Sequence, residues 1–267
     1  MPAILCPSCH KLISDDVPRC PHCGQMRPGM FGLASRFRQL GLTLDFPHII
    51  TVFCGALYVL CLALDPEAIL HPRGMMDILS PSSTASFHVG AAGTIPVYRY
   101  GRWWTVITAI YLHGSLLHII FNMMWVRQLA PVVEELFGPY RLFVIFTVSG
   151  AVGFIASSMM GSSLTLGASG SIFGLLAAAI VYGRRVGSGM FTRQFLQWAL
   201  IMFVFGLIMP GIDNWAHGGG FVGGYATAWF FSRTPNDREG ISAYGLAAAC
   251  AVATVLAFVL QLFSAFS

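Results

Sequence analysis

Residues 215–224 read Trp215-Ala216-His217-Gly218-Gly219-Gly220-Phe221-Val222-Gly223-Gly224, a histidine followed by a G-x-x-x-G pair inside an apolar stretch. Gly220 and Gly224 fall on one helical face, where missing side chains let a second helix approach closely. His217, three positions before Gly220, lies on the same side. A polar group on such a face is a functional candidate within a membrane helix. A nucleophile needs a base within hydrogen-bond reach, and a helix packed this closely can carry one.

The surroundings fit a membrane bundle. Of 267 residues, 56% are hydrophobic and 10% charged, against about 25% charge in soluble domains. Disorder, a coiled coil and a basic nucleic-acid-binding protein are excluded on these figures. Apolar segments fall near 48–64, 103–126, 140–160, 168–186, 194–210, 214–232 and 243–266. About 20 residues cross a bilayer core, so seven helices are predicted. With the N-terminus in the cytoplasm, inner segments hold Lys11, Arg19, Arg27, Arg36, Arg38, Arg127, Arg141, Arg184, Arg185, Arg193, Arg233 and Arg238, and outer ones only Arg73, Arg99 and Arg102. Twelve against three sets the orientation by the positive-inside rule, with the C-terminus outside. The connection 65–102 is too long for a plain loop. It reads either as a partly folded element on the outer membrane face or as a flexible surface loop.

Two further polar spots interrupt the apolar segments. In the second segment, His113 is followed by His118 and Asn122, and the last two share a helical face. At the start of the fourth, Gly167-Ala168-Ser169-Gly170 puts a serine at a helix N-terminus, where free N–H groups and the helix dipole favour developing negative charge. In the predicted orientation the second, fourth and sixth segments all run inward from the outer face. Ser169, His217, His118 and Asn122 then share one level in the outer half of the bilayer.

The N-terminus differs in kind. Cys6-Pro-Ser-Cys9 and Cys20-Pro-His-Cys23 are two C-x-x-C knuckles ten residues apart. They can offer four thiolates to one tetrahedral structural zinc, whose binding would supply the folding energy of a module without a core. Residues 1–25 thus read as a zinc-ribbon-like head and 26–47 as a linker. His10 and His22 are bystanders. Cys54, Cys61 and Cys250 lie in apolar stretches and read as packing residues. A reducing cytoplasm suits the four thiolates. No signal peptide is visible.

Together the motifs resemble the rhomboid family of intramembrane serine proteases, whose marks are H-x-x-x-N, G-x-S-G and A-H-x-x-G-x-x-x-G in that order. Here they are His118 to Asn122, Gly167 to Gly170, and Ala216-His217 to Gly224. Arg102-Trp103-Trp104-Thr105 and Glu134 to Gly138 add to the likeness, which covers residues 45–235. Thr105 departs from the Arg that many members place after the paired Trp, which puts a loop-anchoring contact in question. The resemblance implies an all-α polytopic fold, with a six-helix bundle over 48–235 and an added C-terminal helix over 236–267.

It also implies Ser169 as nucleophile and His217 as general base and acid, without a catalytic cofactor. His118, Asn122 and the Ser169 N–H would form the oxyanion hole, with Gly167, Phe173 and Gly220 packing the site. His113 would be structural. Asp213, four before His217, invites a triad role, but the family pattern favours a loop aspartate. Transmembrane proteins with helix-destabilising residues would be substrates, lipid the surroundings, and a cytoplasmic partner the counterpart of the zinc head. Free thiols and few charges suit a bacterial inner membrane. Two other classes compete: a non-catalytic rhomboid-like adaptor or chaperone, and a transporter with a zinc-ribbon head. Neither H-E-x-x-H nor paired helix aspartates occur, so metallo- and aspartyl intramembrane proteolysis are excluded.

Overall fold

Asp45 opens the helical part of the chain: its Oδ1 accepts from the His48 N–H at 2.9 Å, and Pro47 follows in the first turn of α1 (Phe46–Leu64). Both are start signals that sequence alone provides. The computed structural model describes residues 3–6, 9, 11–14, 17–24, 45–67, 78–233 and 239–265. The linker expected over 26–47 falls outside the described residues except for its last three.

After α1 come α2 (Ser83–Val89), a π-turn at Ile95–Arg99, α3 (Thr105–Thr108) and a 3-10 turn at Ala109–Tyr111. Then follow α4 (Leu116–Phe137), α5 (Pro139–Met159), α6 (Ser169–Arg185), α7 (Gly189–Ile208), α8 (Asn214–Arg233) and α9 (Ile241–Ala265). The architecture is an all-α polytopic bundle preceded by a two-stranded hairpin, β1 (Ala3–Leu5) and β2 (Leu12–Ser14), paired antiparallel. Among the described residues five helices, α1, α4, α5, α7 and α9, are long and apolar enough to cross a membrane. Of the other two long helices, α6 occupies the interior, while α8 buries one face, with Trp215, Val222, Trp229 and Phe230 exposed on the other. Thirteen of the 17 residues of α6 are buried, against three of the 20 in α7.

Two segments differ from their expected bounds. The run expected over 194–210 starts earlier, at Gly189, and the second apolar run, expected over 103–126, gives an α4 that starts at Leu116 and continues to Phe137. The chain before it forms short turns and then extends at Ser115 (φ −164°), whose Oγ accepts from the His118 N–H at 3.2 Å and sets the helix start. His113 therefore precedes α4 rather than lying on it. Past position 126 the helix runs on through Arg127, Gln128 and Glu134, because its inner face (Leu129, Ala130, Val133, Phe137) stays buried.

Where described, the long connection is folded. Ala92 bridges to Thr165, Thr94 N–H donates to Ser162 O at 2.7 Å, and Leu116 N–H to Ile78 O at 3.1 Å. From the other side, Gln261 of α9 donates to Phe87 O and His88 O (3.2 and 2.9 Å) and accepts from Trp104 Nε1 at 2.9 Å. Three residues before Thr105, an arginine anchors the loop. Arg102 donates to Ser264 O at 2.9 Å and lies over the Phe87 ring, while Thr105 Oγ1 donates back to Arg102 O at 2.7 Å.

At the opposite end of α5, its first turn has no cap from its own neighbours and takes one from far along the chain. Arg141 N–H donates to Glu239 Oε1 at 2.8 Å. The carboxylate fills the space beside Gly138, where a Cβ would fall 2.4 Å from Glu239 Cδ and where φ is +94°. Glu239 thus fastens the start of α9 to the α4–α5 corner, beside an edge-on Tyr140–Tyr244 pair at 4.4 Å. Burial raises its carboxyl from 4.5 to about 7, although the backbone N–H groups of Arg141 and Tyr140 and the Arg141 charge favour the anion.

Candidate active site

The helix starts of α4, α6 and α8 converge, and glycine brings them together. A Cβ at Gly220 would fall 2.1 Å from Gly170 O, and one at Gly224 2.2 Å from Gly174 Cα, so α8 lies on α6 at backbone contact. No larger residue fits either place. On the other flank, Gly153 of α5 faces Ala216 O, 2.6 Å from where its Cβ would be.

His217, 5% exposed, is the fourth residue of α8 and stacks on Phe173, with ring centroids 4.4 Å apart and planes 18° from parallel. Phe173 lies one turn beyond Ser169, the first residue of α6. Among the described residues no hydrogen bond joins Ser169 to His217. Such pairs often tighten only when substrate is bound.

His118 reaches the site from α4. At Gly167 (φ +131°) a Cβ would fall 2.7 Å from His118 Nε2, so the ring lies against the backbone two residues before Ser169. Its Nδ1 accepts from the Gly114 N–H at 3.3 Å. A neutral imidazole accepting at Nδ1 carries its proton on Nε2. The Nε2–H is therefore presented at the Gly167–Ser169 turn, as a donor. Asn122, one turn on, donates one amide proton to His118 O at 2.8 Å and keeps the other. His113 is buried edge-on to His118, with centroids 5.2 Å apart.

The three helix starts differ in one respect. α4 is capped by Ser115, and α8 by Asp213, whose Oδ1 accepts from the Trp215 and Ala216 N–H groups, each at 3.1 Å. α6 follows Ala168 and has no side-chain cap. Its first N–H groups, beginning with that of Ser169, are open to a developing anion, and the helix dipole adds to them. Asp213 also accepts from Ser157 Oγ. The residue on the His217 ring is Asn214, whose Oδ1 lies 3.0 Å from Nδ1. Asn214, not Asp213, holds the place that the sequence suggests for a third triad member. The signal was present, because a residue three before His217 at a helix start shares its face.

In the head, the ligand atoms of Cys6, Cys9, Cys20 and Cys23 all lie within 4.8 Å of one another. Cys6–Cys23 and Cys9–Cys20 Sγ separations are 3.7 and 3.6 Å. Four thiolates about 2.3 Å from one tetrahedral zinc would be about 3.8 Å apart. The set could hold a metal ion with little adjustment.

Ser169 and His217 thus stand at the starts of two helices joined at backbone contact. The Rhomboid domain matches residues 100–234, about half the chain, and the protein belongs to the rhomboid family. It is 28% identical over 170 residues to RHOMBOID-like protein 1 of Arabidopsis thaliana, covering 61% of this chain and 43% of the relative. To Rhomboid protease GluP of Bacillus subtilis it is 33% identical over 132 residues, covering 48% of this chain and 26% of the relative. With Rhomboid-like protease 5 of Toxoplasma gondii it shares 29% over 152 residues, 54% of this chain and 18% of the relative. The chain spans less than half the length of these relatives.

Proposed function

We propose that the protein is an intramembrane serine endopeptidase acting through a Ser169–His217 dyad. Ser169 Oγ attacks the scissile carbonyl carbon while its proton passes to His217 Nε2. The carbonyl oxygen takes the negative charge and is met by the Ser169 N–H, the His118 Nε2–H and the free amide proton of Asn122. Collapse expels the amine, which takes the proton from His217, and leaves an ester on Ser169. Water, deprotonated by His217, hydrolyses that ester and restores the serine. Phe173 holds the histidine ring, and Gly167 and Gly220 give the backbone contacts that bring the parts together.

The observation that carries this reading is the uncapped helix start at Ser169. Of the three ends that meet, the one bearing Ser169 leaves its N–H groups open. An end left open at an interior position is worth most where charge develops only in the transition state.

The chain crosses the membrane seven times in this proposal, its head cytoplasmic and its C-terminus outside. α6 crosses despite its length and composition because protein surrounds it, and α8 because its glycine-rich face lies against α5 and α6. The units are 1–25, 26–47, 48–235 and 236–267. The zinc head takes one structural ion on Cys6, Cys9, Cys20 and Cys23 and serves a cytoplasmic partner. The bacterial inner membrane remains the location its free thiols and few charges suit; the relatives span three very different organisms and do not choose among membranes.

Substrates are transmembrane segments that unwind near the outer surface, since an intact helix shields its carbonyls and satisfies its own N–H groups. The test is cleavage in reconstituted vesicles of two model segments, alike except for a Gly-Pro pair near the outer end. Cleavage of the pair-bearing segment alone, abolished in Ser169→Ala, is expected. Binding of both segments without cleavage would favour the adaptor reading.

A further inference from the structure

Only one nitrogen of the His217 ring can accept the serine proton, and the residue on the other nitrogen decides which. That residue is Asn214, with Oδ1 3.0 Å from Nδ1. An amide oxygen only accepts, so the contact requires a proton on Nδ1 and leaves the Nε2 lone pair free. Stacking on Phe173 fixes the ring plane. It does not fix rotation within that plane, which the Asn214 contact does.

The amide is itself held. At Gly206 of α7, a Cβ would fall 2.4 Å from Asn214 Oδ1 and 3.1 Å from its Cγ. Gly206 is one of only three buried residues of α7, and the space it leaves is taken by this side chain. The neighbouring carboxylate is engaged elsewhere, with Asp213 caught between the α8 cap and Ser157.

We propose that Asn214 is a positioning residue for His217, seated in a socket made by Gly206, and that it does without charge what an aspartate does in a charged triad. The proposal rests on the dyad reading above. The physical reason for an amide is the site's burial. A carboxylate held beside a buried neutral ring has to be desolvated without a counterion, whereas an amide gives direction at much lower cost. The Gly206 contact also ties the base to α7, the least buried long helix around the site. A shift of α7 would release the amide and with it the ring.

The test combines a tautomer measurement with labelling by a fluorophosphonate serine probe, using the full chain in detergent. In protein labelled with 15N-histidine, the His217 signals, assigned by their loss in His217→Ala, should show a protonated Nδ1 and an unprotonated Nε2. Asn214→Ala should mix the tautomers and slow labelling about a hundredfold, the scale of a small misplacement of a catalytic group. Asn214→Asp, which also accepts from Nδ1–H, should restore most of the rate. Gly206→Ala should reproduce the loss, and the double variant with Asn214→Ala should be no slower than either single one. Asn214→Ser serves as a second truncation if Asn214→Ala does not fold.

A wild-type His217 protonated on Nε2 would overturn the proposal. So would a wild-type labelling rate in folded Asn214→Ala when Ser169→Ala is unlabelled. The expected tautomer together with undiminished labelling of Ser169→Ala would instead sink the dyad reading, and the positioning role with it.

Discussion

α6 and α7 are neighbours of similar length in one membrane bundle, and they are built on opposite rules. α6 is small-residue and buried nearly all round, with Gly170 and Gly174 against the backbone of α8. α7 is apolar and mostly bare, with Leu200, Ile201, Leu207 and Ile208 each more than 60% exposed. Lipid demands apolar side chains of α7. Protein contact lets α6 and α8 carry serine, histidine, asparagine and many glycines. The two long helices least like membrane spans are therefore the two that carry the candidate serine and histidine, with α4 adding His118 and Asn122.

The contrast can be broken most severely at the seam. Gly224→Val would drive a branched side chain into the Gly174 backbone, and is expected to destabilise the protein by about 3 kcal/mol or more, read as thermal unfolding in detergent. Leu200→Ala on α7 is the control, within about 0.5 kcal/mol of wild type. A comparable loss from both would mean the two helices are not differently built.

Next in size is His118→Ala. Losing one oxyanion donor is expected to lower the rate of probe labelling about a hundredfold or more, with the melting temperature little changed. Equal loss of rate and of folded protein would make His118 a packing residue.

A smaller effect is expected at the far end of α5. The Glu239 carboxyl is raised from 4.5 to about 7, so between those values the folded chain holds a proton that the unfolded chain has released. Its contribution to stability is present in full below about 4.5 and is lost as pH rises through about 7. Glu239→Gln should flatten that part of the melting-temperature profile relative to wild type. Parallel profiles for the two proteins would place Glu239 in water.

The smallest effect on the bundle is expected from metal removal. A strong chelator should abolish order in the head, seen as loss of amide protection around Cys6 and Cys20, while probe labelling of Ser169 is kept. Loss of labelling together with the metal would join head and bundle into one unit.

Much of this was legible in the sequence, and what was missed has physical causes. The close approach at Gly220 and Gly224 could be read because glycine spacing on a helix has few other uses. His118, Ser169 and His217 stood out as polar groups in apolar runs. The bounds of α4 could not be read the same way. Arg127, Gln128 and Glu134 look like a membrane exit, yet the helix continues because its other face is covered. Asn214 was hidden by the charge of Asp213 beside it. Glu239 meets Gly138 and Arg141 only through the tertiary fold, about a hundred residues away in the chain, and no local pattern announces it.

The central claim is that the serine at the open start of α6 is the nucleophile, and the direct measurement is where a fluorophosphonate attaches. Mass spectrometry of the labelled, digested protein should find one adduct, on Ser169, absent in Ser169→Ala and sharply reduced in His217→Ala. An adduct on another serine, or equal labelling of wild type and Ser169→Ala, would contradict it.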